Sequence, residues 1–295
     1  MRLLSAIGRS RSKIIQAAIS FFCPRFFLRS WLRCHLPADR VRPGTLYGLS
    51  LSFDVENEED IRALPDLLAL LREQRWTASF AVIGEYVQRY PQAHRLLADA
   101  GHELINHTHR HPWHAQLSPS RRFDRLVLSE MREEIILCHN AICEVCGVEP
   151  IIFRAPHFGE THTREVYPLL RELGYAASTS EVSIRSPYGG LPYMLAGPAA
   201  PLWEIPLSTC PDHPHAVLDT WHCLQKPRPW HAMPGQMVSA LRTLLSIQRE
   251  CGGYVNLYFD PAAFVNYPER NSVIAAIHAA GMLPCVYRNC IVSSS

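Results

Sequence analysis

The sequence is short of net charge, of long apolar runs and of repetition, and each shortage removes a class of protein. Twenty-nine basic residues nearly balance 27 acidic ones for a formal charge of +2, so no overall field draws the chain to nucleic acid. Near the N-terminus the longest uncharged stretch is Ile14 to Pro24, 11 residues, about half of the roughly 20 that a bilayer crossing requires. No small-residue cleavage pattern follows it, which argues against a secretory signal. No period of about 20 to 50 residues is present, which excludes a solenoid. The ten cysteines include one CxxC, Cys143 and Cys146, without the second paired cluster of a structural zinc site. A chain of 295 residues that is 47% hydrophobic buries a core without disulfide staples. Reduced thiols in a cytoplasmic compartment are therefore expected.

The balanced total hides a basic beginning. Residues 1–46 hold nine Lys/Arg and a single acid, Asp39, so they carry about +8 and the rest of the chain about −6. Arginines interleaved with Phe21, Phe22, Phe26, Phe27 and Trp31 suit an anionic membrane surface, reached through residues 1–33 with the aromatics dipping in. A plain packing extension and an export signal are the alternatives. The expected organisation is a basic amphipathic N-terminal extension over 1–46 and a catalytic unit over 47–295.

From residue 47 apolar periodicity alternates between strand and helix. Tyr47 to Phe53 reads as a buried strand ending at Asp54, Ile61 to Gln74 as a helix, and Ala78 to Ile83 as a second strand. A helix over Tyr90 to Ala100 stops at Gly101, and Glu103 to Asn106 is a third strand. A long helix over Arg122 to Cys146 is closed by Gly147, followed by a strand at Ile151 to Phe153 and a helix from Thr163 to Leu173. Leu202 to Leu207 is strand-like, and the segment through Pro234 has no period. Helix, strand, helix and closing strand follow at Gly235 to Glu250, Tyr254 to Phe259, Asn271 to Ala280 and Met282 to Tyr287. Such alternation predicts an α/β fold with a parallel sheet or barrel, whose strand C-termini carry the chemistry.

Three polar clusters fall where those strands end: Asp54 to Glu56, His107 to His111 and Arg154 to His157. His107 and His111, four apart, meet on one face if the backbone makes a helical turn. That suits two imidazole ligands of a divalent metal, with a carboxylate as the third. A metal-acidified water then needs a base, for which Asp54 is the natural candidate, and Arg154 is placed to keep it ionised. The combination reads as a metal-assisted hydrolysis site.

At these residues the sequence resembles the polysaccharide deacetylases, carbohydrate esterase family four. SFDVE at 52–56 is similar to the family's first motif, HTHRH at 107–111 to its metal-binding histidine motif, and FRAPHFG at 153–159 to its arginine motif. GHELINHTHRH and LWEIPL add to a likeness covering about 47–290. The resemblance implies a distorted (β/α)7-type barrel and a metal-dependent amidohydrolase that removes an acetyl or formyl group from an N-acylated amino sugar. It assigns Asp54 as base, His107 and His111 as ligands, and Arg154 as the residue orienting the base. The usual ligating aspartate falls at Val55, which makes Glu56 the third ligand, as in members with a D-V-D or D-V-E start. Zinc is the default ion, with Co2+, Ni2+ or Mn2+ accepted by similar sites.

Two further departures concern the acid. The family's histidine that protonates the departing amine falls at Asp260, and the aspartate that tunes that histidine falls at Ser178. Asp260 donates a proton only if its pKa is raised, and His157 is the substitute. Trp221 and Trp230, in the long loop, are candidate platforms for a sugar face. With the basic start, the implied substrate is an N-acylated amino sugar or lipid-linked glycan at the inner face of the membrane. A catalytically weak or inactive binding protein, and an amidohydrolase of ureides or cyclic amides, are the rival readings.

Overall fold

The computed structural model describes residues 13–197 and 200–292. Its strands are β1 (Gly48–Val55), β2 (Ser79–Val82), β3 (Glu103–Asn106), β4 (Ile152–Phe153), β5 (Ala177–Ser178), β6 (Tyr193–Met194), β7 (Trp203–Glu204) and β8 (Tyr254–Phe259). They form one sheet in the order β6-β7-β5-β4-β3-β2-β1-β8, parallel throughout except where β6 runs against β7. The sheet curls into a distorted (β/α) barrel. Beyond β7 the chain approaches β8, where Ser208 N–H donates to Asn256 O at 3.0 Å and Asn256 N–H donates to Ser208 Oγ at 2.8 Å.

Twelve α-helices lie among the described residues: α1 (Lys13–Phe22), α2 (Pro24–His35), α3 (Glu58–Gln74), α4 (Gly84–Arg89), α5 (Pro91–Asp99), α6 (Leu128–Cys146), α7 (Phe158–Thr161), α8 (Val166–Glu172), α9 (Gln236–Cys251), α10 (Pro261–Asn266), α11 (Arg270–His278) and α12 (Tyr287–Val292). Local chemistry sets several ends. Asn57 caps α3 in a capping box with Asp60, whose Oδ2 accepts the Asn57 N–H at 3.0 Å. Gly147, at φ 68°, ends α6 in the left-handed conformation that glycine adopts without strain. The helix expected over Tyr90 to Ala100 is α5, and α4 precedes it, broken from it at Tyr90 just before Pro91.

Strand alternation sorts the barrel into two cores. Leu49, Leu51, Phe53 and Val55 of β1 pack with Phe80, Val82, Leu104 and the surrounding helices. On the other side of the sheet, Ala81, Ile105, Ile152, Ala177 and Ile205 share a cluster with Tyr254, Tyr287 and α2. Phe27, Leu28, Trp31 and Leu32 of α2 are buried there, together with Ile247 and Cys251 of α9. Arg29 and Arg33 clasp Glu250 at 3.0 and 2.5 Å. At about 1.5–3 kcal/mol per fully buried large apolar side chain, α2 contributes to folding rather than hanging free.

The structure corrects two expectations. Phe27 and Trp31 face the protein core and are not available to a lipid surface; Phe21, Phe22 and Phe26 are the exposed aromatics of that segment. Met282 to Tyr287 is not a closing strand. Only Cys285 bridges to Ser50 of β1, and the chain then turns into α12, which carries Tyr287 into the barrel interior. Residues 1–12 of the basic extension lie outside the described residues.

Candidate metal centre and active site

The site is built on the inward row of β1. Leu49, Leu51, Phe53 and Val55 face the helical layer, so Ser50, Ser52 and Asp54 face inward, and Glu56, two residues past Asp54, returns to the same side. Val55 is fully buried among apolar side chains, so position 55 offers no ligand atom to the site whereas Glu56 does.

Glu56, His107 and His111 each aim a ligand atom at one point, all within 4.8 Å of one another. Glu56 Oε1 is 3.1 Å from His107 Nε2 and 3.2 Å from His111 Nε2. The two rings meet at 4.7 Å between centroids, though not through the helical turn expected from their spacing. Residues 107–111 form a loop in which Thr108 and His111 take left-handed φ values of 66° and 49°, and this folds the two imidazoles together.

The donor set fits a divalent ion. His107 Nδ1–H donates to Arg154 O at 2.9 Å, so in the neutral ring Nε2 is an acceptor facing the acceptor Oε1 of Glu56, an arrangement that a shared cation relieves. His111 Nδ1 and Nε2 and Asp54 Oδ2 are buried without a hydrogen-bond partner. Burial would raise the Glu56 carboxyl, but His111 and His107 outweigh it and hold Glu56 well below the usual range, ready to ligate. His114 supports the set from behind: its Nε2–H donates to Glu56 O at 2.9 Å, while Nδ1 accepts the Gln116 and Leu117 N–H groups at 3.2 and 3.1 Å.

Beside the triad lies a buried ion pair. Arg154 Nη1 donates to Asp54 Oδ1 in a short contact, and both side chains are wholly buried. Asp54 Oδ2 points the other way, 3.8 Å from His107 Nε2. Burial leaves the Asp54 carboxyl above its usual value, although Arg154 and His107 oppose the rise. Arg154 is itself held by groups that the sequence analysis did not single out. Nη2 donates to Ser52 Oγ at 2.9 Å and to the Tyr287 hydroxyl at 2.6 Å, and Nε donates to Thr179 O at 3.3 Å. The Tyr287 hydroxyl also contacts Ser52 Oγ at 2.9 Å and Asn256 Oδ1 at 2.7 Å. The alternation of LSLSFD, and a lone asparagine within YVNLYF, were the legible signals for Ser52 and Asn256. Tyr287 had none, being 133 residues from Arg154.

The two candidate acids, Asp260 and His157, sit in different surroundings. At the end of β8, Asp260 Oδ2 accepts the Thr220 hydroxyl at 2.7 Å and Oδ1 accepts that of Tyr258 at 3.1 Å. Burial, reinforced by Asp60, Glu56 and Asp219, pushes its pKa well above the usual carboxylate value, which favours the protonated form. His157 lies against His111 at 4.8 Å between centroids, but burial, then the His111 charge, lower it to about 4. It is therefore neutral and a poor proton store. Ser178 ends β5 and its hydroxyl donates to Ser180 Oγ at 3.0 Å.

The loop tryptophans divide. Trp221 is 48% exposed. Trp230 is stacked by His213 and His222 at 4.2 and 5.0 Å, with Lys226 Nζ 3.2 Å from its centroid, so the stacking platform expected there is already taken by protein. Glu204 binds backbone, accepting Ser180 N–H at 2.7 Å and Glu181 N–H at 2.9 Å. His102 is structural, accepting Ala78 N–H at 3.3 Å and packing on Phe80.

The family described as polysaccharide deacetylase matches residues 48–178, which include the triad, Asp54 and Arg154. A chitooligosaccharide deacetylase of Bradyrhizobium sp. (strain ANU 289) is 32% identical over 114 residues, 38% of this chain and 47% of that protein; the chain thus spans about half the length of this curated relative. A Mycobacterium smegmatis structure grouped with the polysaccharide deacetylases superposes with a TM-score of 0.64 at 22% identity, covering 84% of this chain and 91% of that one. Puue allantoinase gives 0.65 at 13% identity, covering 87% and 91%. At these identities the two structures share the fold.

Proposed function

We propose, from the match of residues 48–178 to the polysaccharide deacetylase family, that this chain is a member of it and a metal-dependent hydrolase removing an N-acyl group, acetyl or formyl, from an amino sugar. The observation that carries the reading is the convergence of Glu56, His107 and His111 beside the buried Arg154–Asp54 pair. A divalent ion held by those three residues, zinc by the preference of two imidazoles and a carboxylate, with Co2+, Ni2+ or Mn2+ as alternatives, supplies Lewis acidity to the scissile amide and the attacking water.

The chain's own residues supply the proton transfers. Asp54 takes the proton of the attacking water at Oδ2, the oxygen left free because Oδ1 is bonded to Arg154. Arg154 opposes the burial that raises the Asp54 carboxyl, favouring its ionised form, and fixes its direction. Asp260, whose pKa burial raises, gives its proton to the departing amine nitrogen in place of an imidazolium. Trp221 offers its exposed ring to the sugar.

The setting we propose is cytoplasmic, at the inner face of the membrane, on a lipid-linked glycan. Its support is local: Phe21 and Phe22 are 79% and 77% exposed within the basic N-terminal extension. Among the described residues no helix is long and apolar enough to cross a membrane. The test of the activity is acetate and formate release from a panel of N-acylated amino sugars and their lipid-linked forms, with added zinc or cobalt. Release that depends on metal supports the reading. Metal bound at full occupancy with no release from any of them would favour the inactive binding protein, for which Val55, Ser178 and Asp260 are the grounds.

A further inference from the structure

The end of the chain carries two thiols that the chemistry above does not use. Cys285 is pinned to β1, its N–H donating to Leu49 O at 2.9 Å. Cys290 lies one turn along α12. Their Sγ atoms are 3.3 Å apart, and both residues are half-buried. Ser50 Oγ touches them at 3.6 and 3.3 Å, and the Tyr254 hydroxyl is 3.1 Å from Cys290 Sγ. Between the two cysteines sits Tyr287, whose hydroxyl holds Arg154. Ser50 belongs to the same inward row of β1 as Ser52 and Asp54, so the thiol pair sits below the base on one face of one strand.

We propose that Cys285 and Cys290 are a reversible oxidation site, closed to a disulfide by exchange with a low-molecular-weight disulfide such as oxidised glutathione, and that closure displaces the Tyr287 mount of Arg154. In the first step the Cys285 thiolate attacks one glutathione sulfur, the glutathione S–S bond breaks, and one glutathione leaves as thiolate and takes up a proton. Cys290, losing its proton to solvent, then attacks Cys285 Sγ and expels the second glutathione, which is protonated in turn. Two protein thiols are oxidised and one glutathione disulfide is reduced to two thiols. The hydrogen bond from Cys290 lowers the Cys285 thiol to about 7, so an attacking thiolate is present at neutral pH.

A disulfide is about 2.05 Å long, so the sulfurs must close by roughly 1.3 Å. Cys285 is tied to β1, so the movement falls on the first turn of α12. That turn is otherwise fixed by Glu103, which accepts Tyr287 N–H at 2.8 Å and Arg288 N–H at 3.1 Å. A shift there moves the Tyr287 hydroxyl off Arg154, Ser52 and Asn256 together. The effect on turnover rests on the reading of Asp54 as base; formation of the disulfide does not.

The experiment equilibrates the full chain with graded ratios of reduced to oxidised glutathione, alkylates remaining thiols, digests with trypsin and maps the peptides by mass spectrometry. Trypsin cuts after Arg288, between the two cysteines, so the disulfide joins peptides 271–288 and 289–295. The joined peptide should appear in the wild type and vanish in Cys285→Ser and Cys290→Ser. Acyl release by the oxidised protein should fall about 10- to 100-fold, the effect of an approximately 1 Å misplacement, and return with dithiothreitol. Cys285→Ser should keep the reduced wild-type rate and ignore the oxidant. Both thiols alkylated at every ratio would overturn the site. A joined peptide in a protein that turns over at the reduced rate would overturn the link to Arg154.

Discussion

Replacing Asp54 by asparagine removes one charge from the buried pair while keeping its shape, and the surroundings of Arg154 determine the cost. The other partners of that guanidinium, Ser52, Thr179 and Tyr287, are neutral. Breaking a buried ion pair from one side costs about 3–5 kcal/mol because the surviving charge stays buried. The amide carbonyl introduced at position 54 can still accept one Arg154 N–H, so the lower end, about 3 kcal/mol, is expected in urea unfolding. Loss of a general base lowers the rate about 10²- to 10⁴-fold. Metal occupancy should not change, since Asp54 is outside the triad. The companion Asp54→Asn/Arg154→Met removes the stranded charge as well; it should regain about 1–4 kcal/mol without regaining rate. Full activity in Asp54→Asn would refute its role as base, and a double variant that recovered turnover would refute the pair's role in catalysis.

Other consequences can be checked independently. Asp260→Asn should lower kcat about 10²-fold or more. Because burial raises Asp260, the wild-type rate should fall as pH rises through that elevated pKa, and this alkaline limb should be absent in the variant. His162, whose Nε2 lies 3.0 Å from the Tyr167 hydroxyl, is lowered to about 4 by burial. A depressed histidine favours the neutral form, so its contribution is present above about pH 6.5 and lost as pH falls toward 4, on the order of 2 kcal/mol. His162→Gln should flatten that part of the stability profile in chemical denaturation. Phe21→Glu/Phe22→Glu should release the protein from vesicles rich in anionic lipid, and unchanged co-sedimentation would rule out this segment as the membrane contact. Point changes are required there, since deleting residues 1–33 would also remove the buried Phe27, Leu28, Trp31 and Leu32.

Much of the fold is legible because period-2 alternation and amphipathic helices are local. LSLSFD and YVNLYF state which side chains face inward, and the strand-end clusters state where the chemistry lies. What was not legible depends on distant contacts. Tyr287 lies in a stretch whose apolar run reads as strand, yet one bridge to β1 and the pull of Arg154 make it the first residue of a helix. The His107–His111 spacing pointed to a metal pair through a helical turn, and left-handed φ at Thr108 and His111 brought the rings together another way. Trp230 looked like an open ring because sequence does not show the histidines stacked on it. The raised pKa of Asp260 comes from its burial, a property of the folded barrel rather than of any motif.

The central claim is that Glu56, His107 and His111 hold one divalent ion. Elemental analysis of the full chain, equilibrated with zinc and desalted, beside His107→Ala treated identically, tests it most directly. The account predicts close to one ion per wild-type chain and loss of that ion in the variant; an ion-free wild type, or equal occupancy in the two proteins, would contradict it.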